Sequence, residues 1–292
     1  MKLSIAAKFN LVFVSVFAVG FIAAGVVADR LLKEDAREET LQNARLLLEA
    51  AKSVRGYTAT QIAPLLVNQM KFEFHPQSVP SYSAVESLNT ILKSYPDFSY
   101  KEATLNPTNL RDKASDWEVD VVNKLRNTAD MKEFVGERDT ATGRSLYIAR
   151  PLQIKDPVCL GCHTTAATAP KTMVDIYGPN NGFGWKLNEI VGAQVISVPM
   201  TVPLARADQI FRHFMTSLFG VFLMVFIALN VMVHLFVTRR IRQLAQVADD
   251  VSMGRFEASE FTVRGNDEIS GLGRSFNRMR TSLASALKML EE

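Results

Sequence analysis

Two long runs without Asp, Glu, Lys or Arg dominate the hydrophobicity pattern of the chain. One extends from Phe9 to Ala28 and the other from Phe214 to Thr238. Each run is long enough to cross a bilayer of about 30 Å as an α-helix. The predicted organisation is a cytoplasmic N-terminus (1–8), a first transmembrane helix (9–28), an external domain (29–212), a second transmembrane helix (213–238) and a cytoplasmic segment (239–292).

Positive residues flank both runs on the same predicted side. Lys2 and Lys8 precede the first run, and Arg239, Arg240 and Arg242 follow the second. By the positive-inside rule, both termini lie in the cytoplasm and the domain between the runs lies on the other side of the membrane. The first run could also be a cleaved signal peptide, but it is longer than the usual apolar region of roughly 7–15 residues, which favours an uncleaved anchor.

The external domain begins with helical patterns. Apolar residues spaced by three and four predict a helix over Arg30–Val54, weakened or bent near Gly56 and Pro64. The same spacing predicts helices over Ser83–Lys93, with Ser83 as its N-cap, and over Ala114–Leu125.

After these helices the pattern changes to short extended runs. Strands are predicted over Lys132–Gly136, Ser145–Ala149 and Val191–Val198, where β-branched and aromatic residues are frequent. A turn over Asp139–Gly143 is predicted between the first two. Helices followed by strands indicate an α+β domain.

The cytoplasmic segment contains two amphipathic patterns joined by a connector that begins at Met253-Gly254-Arg255-Phe256 and runs through Gly265. The apolar positions have the spacing of coiled-coil seams. They are Ile241, Leu244, Ala248 and Val251 in the first helix, and Ile269, Leu272, Phe276, Met279 and Leu283 in the second. A membrane-surface role is less consistent with these narrow seams, because no basic stripe accompanies them.

The chain's only two cysteines lie in Cys159-Leu160-Gly161-Cys162-His163. This C-x-x-C-H spacing is typical of covalent c-type haem attachment, in which each thiol forms a thioether and the imidazole faces the iron. The alternatives are half of a zinc site, a redox pair or a disulfide. A closed zinc site needs four ligands and no second pair exists, while a redox pair usually opens a helix after a strand. Haem attachment is therefore the favoured interpretation.

Several further motifs resemble the periplasmic c-haem, PAS-like sensor family found in bacterial histidine kinases, cyclases and chemoreceptors. They are Val79-Pro80-Ser81-Tyr82, Leu105-Asn106-Pro107-Thr108-Asn109, Tyr147-Ile148-Ala149-Arg150-Pro151, Tyr177-Gly178, Gly182-Phe183-Gly184-Trp185 and Gly192-Ala193-Gln194-Val195. The resemblance covers roughly Arg45 to Val202. It implies a PAS-like sheet with one covalent haem c per chain, attached through Cys159 and Cys162 and bound by His163 as proximal ligand.

The sixth ligand of the iron is left open. The resemblance implies a cysteine at this position in some members of the family, but this chain has no third cysteine. His75 is one candidate distal ligand, although a histidine before a proline is more often an ordinary surface or core residue. Methionine sulfur is another, from Met70, Met131, Met173 or Met200, although methionine is more often core filling. An open site is the third alternative.

Other residues near the motif have weaker claims. Arg150 and Lys171 can neutralise haem propionates through charge-assisted hydrogen bonds, although ordinary surface roles are equally consistent with the sequence. Tyr147, Tyr177 and Trp185 can line the haem edge, although aromatic residues in such positions are more often core.

The cytoplasmic segment resembles a HAMP linker, in which two helices per chain pair as a four-helix bundle in a homodimer. Asp267-Glu268-Ile269 and Phe276-Asn277-Arg278-Met279 match the family's second helix. Two departures are the absence of the usual proline near the start of the first helix and Ser270 at a position where glycine is common.

Together with the two resemblances, these features predict a haem sensor in the bacterial inner membrane, with its sensor domain in the periplasm and its termini in the cytoplasm. The expected signal is redox state or a diatomic gas such as O2, NO or CO. The partners implied are a second copy and a cytoplasmic kinase, cyclase or chemotaxis protein. Because Glu292 follows the HAMP-like segment directly, the output is expected on a separate polypeptide or on a longer form of the chain. The alternatives are a membrane-anchored monohaem electron carrier and a small-molecule receptor with a structural haem. We expect neither enzymatic activity nor a nucleic-acid partner.

Overall fold

The computed structural model describes residues 4–141, 143–255, 260–263 and 265–291. The chain divides into two compact units. We call Asp29–Ile210 the central domain, and Met1–Ala28 together with Phe211–Glu292 the membrane-linked unit. The predicted membrane and domain boundaries themselves stay predictions.

The described residues form nine α-helices and four β-strands. The helices are α1 (Ile5–Tyr57), α2 (Ala63–Leu66), α3 (Pro80–Leu92), α4 (Asp116–Asn127), α5 (Leu160–His163), α6 (Lys171–Tyr177), α7 (Thr201–Val233), α8 (Arg239–Ser252) and α9 (Glu268–Glu291). The strands are β1 (Ser99–Thr104), β2 (Phe134–Thr140), β3 (Gly143–Gln153) and β4 (Ile190–Pro199). The predicted mixture of helices and a small sheet is confirmed.

The sheet of the central domain has the strand order β1-β4-β3-β2, and every neighbouring pair is antiparallel. One face packs against α1 and α3, where Leu48 and Leu88 meet Ile148 and Ile196. The other face packs against α4. Because successive residues of a strand face opposite sides of a sheet, both faces contribute to the core.

Strand β1 was not predicted. Its sequence places Lys101 and Glu102 side by side, so it lacks the apolar signature of a buried strand. Lys101 forms an ion pair with Glu118 of α4 at 2.8 Å, and Glu102 pairs with Arg55 of α1. Glu102 thus places a charge at a buried position of β1, and its ion pair with Arg55 is how that charge is tolerated in the protein interior.

Two helix starts differ from those predicted. Helix α3 begins at Pro80 rather than Ser83, because the fixed φ of proline suits the first helical position; the Ser83 hydroxyl donates to the Gln77 carbonyl at 2.8 Å instead of capping. Helix α4 has Ser115 as its N-cap, with Glu118 completing a capping box. Ser83 was therefore wrong as a cap.

The predicted strands exist but are longer. Asp139 pairs with Arg144 in the ladder between β2 and β3, so the predicted turn Asp139–Gly143 was too long. Strand pairing continues to Thr140 and Gly143, and Thr142 lies outside the described residues.

Helix α1 contains the predicted helix Arg30–Val54 and continues through Gly56. A π turn over Thr58–Ile62 follows it. The ring of Pro64 would clash with the Thr60 carbonyl in a regular α-helix, and a π turn is one way in which a helix absorbs such a conflict. The predicted disturbance near Pro64 is confirmed.

In the membrane-linked unit, two helices have the length and composition to cross a membrane, within Ala6–Leu66 and Thr201–Ser252. They contact each other in antiparallel fashion. The rings of Phe17 and Phe222 stack with centroids 4.9 Å apart, and Gly25 lies against Met215.

The two helices predicted after the second apolar run are present as α8 and α9. Arg240 of α8 pairs with Asp267 at 2.5 Å and donates to the hydroxyl of Ser270 at 2.8 Å. Ser270 is fully buried, so the residue that departs from the HAMP pattern has a structural contact of its own. Phe256, in the predicted connector, lies outside the described residues.

Candidate haem-attachment site

The C-x-x-C-H motif lies on a short helix of the central domain. The Asp156 carboxylate accepts a hydrogen bond from the Val158 amide at 2.9 Å and begins a 3₁₀ turn, which continues into α5. Residues three apart on a helix share a face, so Cys159 and Cys162 lie on the same side. Both thiols are free and partly buried.

The electrostatic environment of the thiols is set mainly by burial. Burial raises the pKa of both cysteines. Asp156 raises the pKa of Cys159 further, whereas the nearby Arg55 guanidinium acts in the opposite direction. Within the described residues, no three His, Cys, Asp or Glu side chains gather as a metal site, so further zinc ligands for this pair are not found there.

His163 is oriented by a main-chain carbonyl. Its Nδ1 lies 2.7 Å from the oxygen of Gly182. Burial lowers the pKa of His163, which favours the neutral imidazole. A neutral ring that donates from Nδ1 leaves the Nε2 lone pair available, which is the form that binds a metal. A hydrogen bond of this kind also fixes ring orientation and makes the ligand more basic.

The second constraint on His163 is aromatic stacking. The ring of Trp185 lies parallel to the imidazole, with centroids 3.9 Å apart and planes inclined by 12°. The Trp185 amide also donates to the His163 carbonyl at 3.2 Å. Trp185, predicted to line the haem edge, thus contacts His163 directly.

Two loops that are far apart in sequence meet at His163. The first loop carries Asn106 and the second carries Gly182 and Phe183. The Asn106 side-chain amide accepts a hydrogen bond from the Gly182 main-chain amide and donates one to the Phe183 carbonyl, both at 3.1 Å. Gly182 has φ +83°, and a Cβ there would lie 2.8 Å from the Cα of Thr108. Only glycine fits this close approach.

A partly buried polar cluster in the central domain was missed by sequence analysis. It consists of Arg55, Tyr100, Glu102 and Gln194, from α1, β1 and β4. Glu102 is 1% exposed and pairs with Arg55. The Tyr100 hydroxyl donates to Glu102 at 2.8 Å and accepts from Gln194 at 3.0 Å. No spacing along the chain connects these residues, so only the sheet register could reveal them.

An apolar side chain of the motif's own turn is exposed. Val158, directly before Cys159, is 80% exposed. Two free thiols on one face and an imidazole with a free Nε2 together fit a covalently attached haem.

The structure gives the candidate distal ligands other contacts. The amide of His75 and the hydroxyl of Ser78 both approach the sulfur of Met70, at 3.2 and 3.4 Å. Met131 and Met200 pack in the two cores, one on each face of the sheet. No hydrogen bond among the described residues links His75 to His163, and its role as a distal ligand stays a prediction.

Arg150 is already paired with acidic residues. Its guanidinium contacts Glu49 at 2.5 Å and Glu133 at 3.0 Å, which ties β3 to α1 and to the start of the second strand. Two carboxylates balance its charge locally. The predicted propionate contact of Arg150 stays a prediction.

The profile of the Tll0287-like family matches residues 33–199, more than half of the chain. The chain belongs to the Tll0287-like family. This Tll0287-like region contains the sheet, the C-x-x-C-H motif and both loops around His163. A HAMP domain profile matches residues 232–285. The order inferred from the motifs, a domain of the haem-sensor type followed by HAMP, is confirmed.

A solved structure is also similar to the Tll0287-like region. The crystal structure of the cyanobacterial haem protein Tll0287 has 14% sequence identity and a TM-score of 0.43, over 55% of this chain and 95% of that chain. No curated protein sequence matches the chain.

Proposed function

We propose that the chain is a membrane-bound sensor that carries one haem c, covalently attached to Cys159 and Cys162, with His163 as proximal ligand. The carrying observation is the 2.7 Å contact between His163 Nδ1 and the Gly182 carbonyl, which leaves Nε2 free beside two unpaired thiols. Family membership supports the same cofactor, because Tll0287 itself is described as a haem protein. The antiparallel sheet is consistent with a PAS-like domain, which remains part of this proposal.

Bound haem supplies one-electron redox chemistry and, with an open iron face, a site for a diatomic gas. The protein holds the proximal imidazole in one tautomer through Gly182 and in one plane through Trp185. The signal proposed is the redox state of the haem or gas binding in the periplasm.

The route to the output runs along the chain. Strand β4 ends at Pro199, and α7 begins at Thr201, so only Met200 separates the sheet from the second candidate membrane helix. We propose that a shift in β4 moves α7 and rebalances two packings of the HAMP helices, because a switch requires two states of different free energy.

Homodimerisation is part of the proposal. Apolar seam residues of α8 and α9 remain exposed in the single chain; Ile241 is 38%, Leu272 58% and Met279 50% exposed. A second copy that forms a four-helix bundle would cover them. The proposed location is the bacterial inner membrane with cytoplasmic termini, and the proposed output is a separate kinase, cyclase or chemotaxis protein rather than an activity of this chain.

The test is haem attachment in the full chain produced with a c-type maturation system. We expect haem to stay bound to the wild-type chain in a denaturing gel. We expect it to be absent from the double variant Cys159→Ser with Cys162→Ser. An equal signal in the cysteine-free variant would overturn covalent attachment. Spectral change with CO or NO supports a gas sensor, whereas rapid electron exchange with a quinol and no change in HAMP packing would favour the electron carrier.

A further inference from the structure

The loop from Gly182 to Trp185 faces His163 and is tied to α5 at one end. The Trp185 amide donates to the His163 carbonyl at 3.2 Å, and the Gly184 amide donates to the Thr164 carbonyl at 3.0 Å. Gly182 and Gly184 have φ values of +83° and +81°. Glycine adopts such angles without strain and leaves the backbone around it unusually free. The glycines of this loop therefore do not by themselves fix the carbonyl that accepts from His163.

Asn106 ties the other end of this loop. Its Oδ1 accepts a hydrogen bond from the Gly182 amide and its Nδ2 donates one to the Phe183 carbonyl, both at 3.1 Å. These two main-chain groups lie on either side of the Gly182 carbonyl, whose oxygen is 2.7 Å from His163 Nδ1. An amide side chain offers an acceptor and a donor on the same carbon, whereas a carboxylate offers acceptors only. Asn106 thus brackets the carbonyl that orients the imidazole.

Loss of the Asn106 side chain would fall on the Gly182 amide. Gly182 is buried, whereas Asn106 lies at the surface. A buried amide without a partner is unfavourable, so the loop is expected to shift until water reaches this group. The Gly182 carbonyl would move with the loop. Removing an exposed side chain leaves no cavity in the core, so the domain itself should remain folded.

We propose that Asn106 is a positioning residue of the haem site, which holds the Gly182 carbonyl against His163 Nδ1 and so sets how strongly the imidazole donates electrons to the iron. The proposal rests on the proposed function, since it concerns the proximal ligand of the same haem. A hydrogen bond donated by Nδ1 makes the imidazole a more basic ligand, and a more basic ligand favours oxidised iron. Loss of Asn106 should therefore favour the reduced state.

The hydroxyl of Thr108 is a second oxygen near the imidazole. It lies 3.4 Å from His163 Nδ1, compared with 2.7 Å for the Gly182 carbonyl. Hydrogen bonds weaken with distance, so the carbonyl is the principal partner. Thr108→Val, which keeps the shape of the side chain and removes the hydroxyl, separates the two contributions.

The first measurement is a spectroelectrochemical titration of the haem-loaded full chain. Asn106→Ala is expected to increase the ratio of reduced to oxidised haem at fixed potential about fivefold, the factor that corresponds to the loss of one hydrogen bond of ordinary strength. Asn109→Ala is the matched control, because Asn109 lies in the same loop after β1 but its side chain accepts from the Arg111 amide. Asn109→Ala and Thr108→Val should leave the ratio close to that of wild type.

The second measurement needs no haem. In the full chain with Cys159→Ser and Cys162→Ser, ¹⁵N NMR of labelled histidine distinguishes a ring protonated at Nδ1 from one protonated at Nε2, and His163→Gln assigns the signal. The carbonyl contact requires the proton on Nδ1, so the parent chain should show that tautomer alone at a pH where the ring is neutral. Asn106→Ala should add the other tautomer, and Asn109→Ala should not.

A raised ratio together with a mixture of tautomers in Asn106→Ala supports the proposal. An unchanged or lowered ratio, an unchanged tautomer, or an equal rise in Asn109→Ala would overturn it, and an equal rise in Thr108→Val would overturn it in favour of the hydroxyl. If Asn106→Ala does not fold, Asn106→Asp decides through the tautomer, because a carboxylate keeps the Gly182 contact and loses the one to Phe183. An unchanged tautomer in that variant counts against the proposal. Haem absent from the wild-type chain overturns the proposed function itself, whereas a wild-type tautomer in Asn106→Ala overturns only this inference.

Discussion

His163 depends on main-chain atoms for its orientation. The partner of its Nδ1 is the Gly182 carbonyl, and the loop that carries this carbonyl approaches Thr108 so closely that a side chain at position 182 has no room. A carbonyl partner has no protonation equilibrium of its own near neutral pH. The tautomer of the imidazole is therefore fixed by backbone geometry rather than by another titrating residue.

Gly182→Ala is expected to destabilise the central domain by about 2 kcal/mol or more, because alanine is strained at φ +83° and its Cβ meets Thr108. Gly184→Ala is the matched control, since Gly184 has φ +81° but nothing within 4 Å of an added Cβ. Urea unfolding followed by tryptophan fluorescence measures both variants. Equal destabilisation would show that the close approach to Thr108 carries no cost.

Cys159, Cys162 and His163 could be proposed from the sequence because covalent attachment requires a fixed local spacing. Sequence analysis could not identify Gly182 as the partner of His163, since the contact joins residues 19 apart through a loop whose conformation is set by Asn106. Arg55 and Glu102 were missed for the same reason. Contacts made through tertiary structure leave no periodic signal in the chain.

Asp112 gives the central domain a pH dependence. Burial raises its pKa to about 6, with Glu102 adding to the effect and Arg111 and Lys101 opposing it. Between about pH 4 and pH 6 the folded chain binds more protons at this group than the unfolded chain does. Stability from this group is therefore greatest at low pH and declines as pH rises to about 6.

Asp112→Asn is expected to remove that decline and to raise the free energy of unfolding at pH 7 by about 2 kcal/mol. Urea unfolding at pH 5 and pH 7 provides the measurement, with Asp97→Asn, an exposed aspartate, as control. If the difference between the two pH values persists in Asp112→Asn, another group is responsible.

At the scale of elements, sequence patterns succeeded where one side of an element is apolar. The amphipathic helices α4, α8 and α9 and the strand β4 were all predicted near their observed positions. Strand β1 was missed because its buried position 102 holds a glutamate paired with Arg55, next to Lys101, which pairs with Glu118. The start of α3 was misplaced because Pro80 competes with Ser83 as a start signal. Tertiary ion pairing thus decided the position of β1, whereas a second local start signal decided the position of α3.

The role of Ser270 in the contact between α8 and α9 can be tested by substitution. Ser270→Ala removes the acceptor for Arg240 and is expected to weaken this contact by about 1 kcal/mol. Hydrogen exchange of residues 239–252 should become several-fold faster. Ser282→Ala, at an exposed position of α9, should leave exchange unchanged; equal acceleration in both variants would contradict the assigned contact.

At the scale of the whole molecule, the order of segments could be predicted because each has a distinct chemical signature. Long uncharged runs predict membrane-spanning helices, the C-x-x-C-H motif predicts haem attachment, and narrow apolar seams predict a helical bundle. How the sheet meets α7 could not be predicted, because it depends on the end of β4. A single residue, Met200, lies between these elements, and it is 3% exposed.

The proposed route predicts that the partner contacts of α7 depend on the haem. Single cysteines at exposed positions Phe219, Leu223 and Ile227, joined by a bis-maleimide, should crosslink two copies with different yields in reduced and oxidised protein. The haem-free variant with Cys159→Ser and Cys162→Ser should give one pattern under both conditions. Identical yields from haem-loaded protein in the two redox states would exclude a movement of α7 at these positions.

The π turn over His234–Thr238 joins α7 to α8, a few residues before Arg242 and Gln243, the region where the usual HAMP proline is missing. A π turn accommodates about one residue more than an α turn, and each residue of an α-helix corresponds to about 100° of rotation. Deleting one residue here would therefore restore regular α-helical winding and leave the orientation of α8 unchanged. Converting the intact π turn into α-helical turns would instead rotate the apolar seam of Ile241 and Leu244 by about 100°, roughly a quarter of a circle. The five residues of this π turn, rather than a proline kink, therefore determine the rotation of α8 about its axis relative to α7.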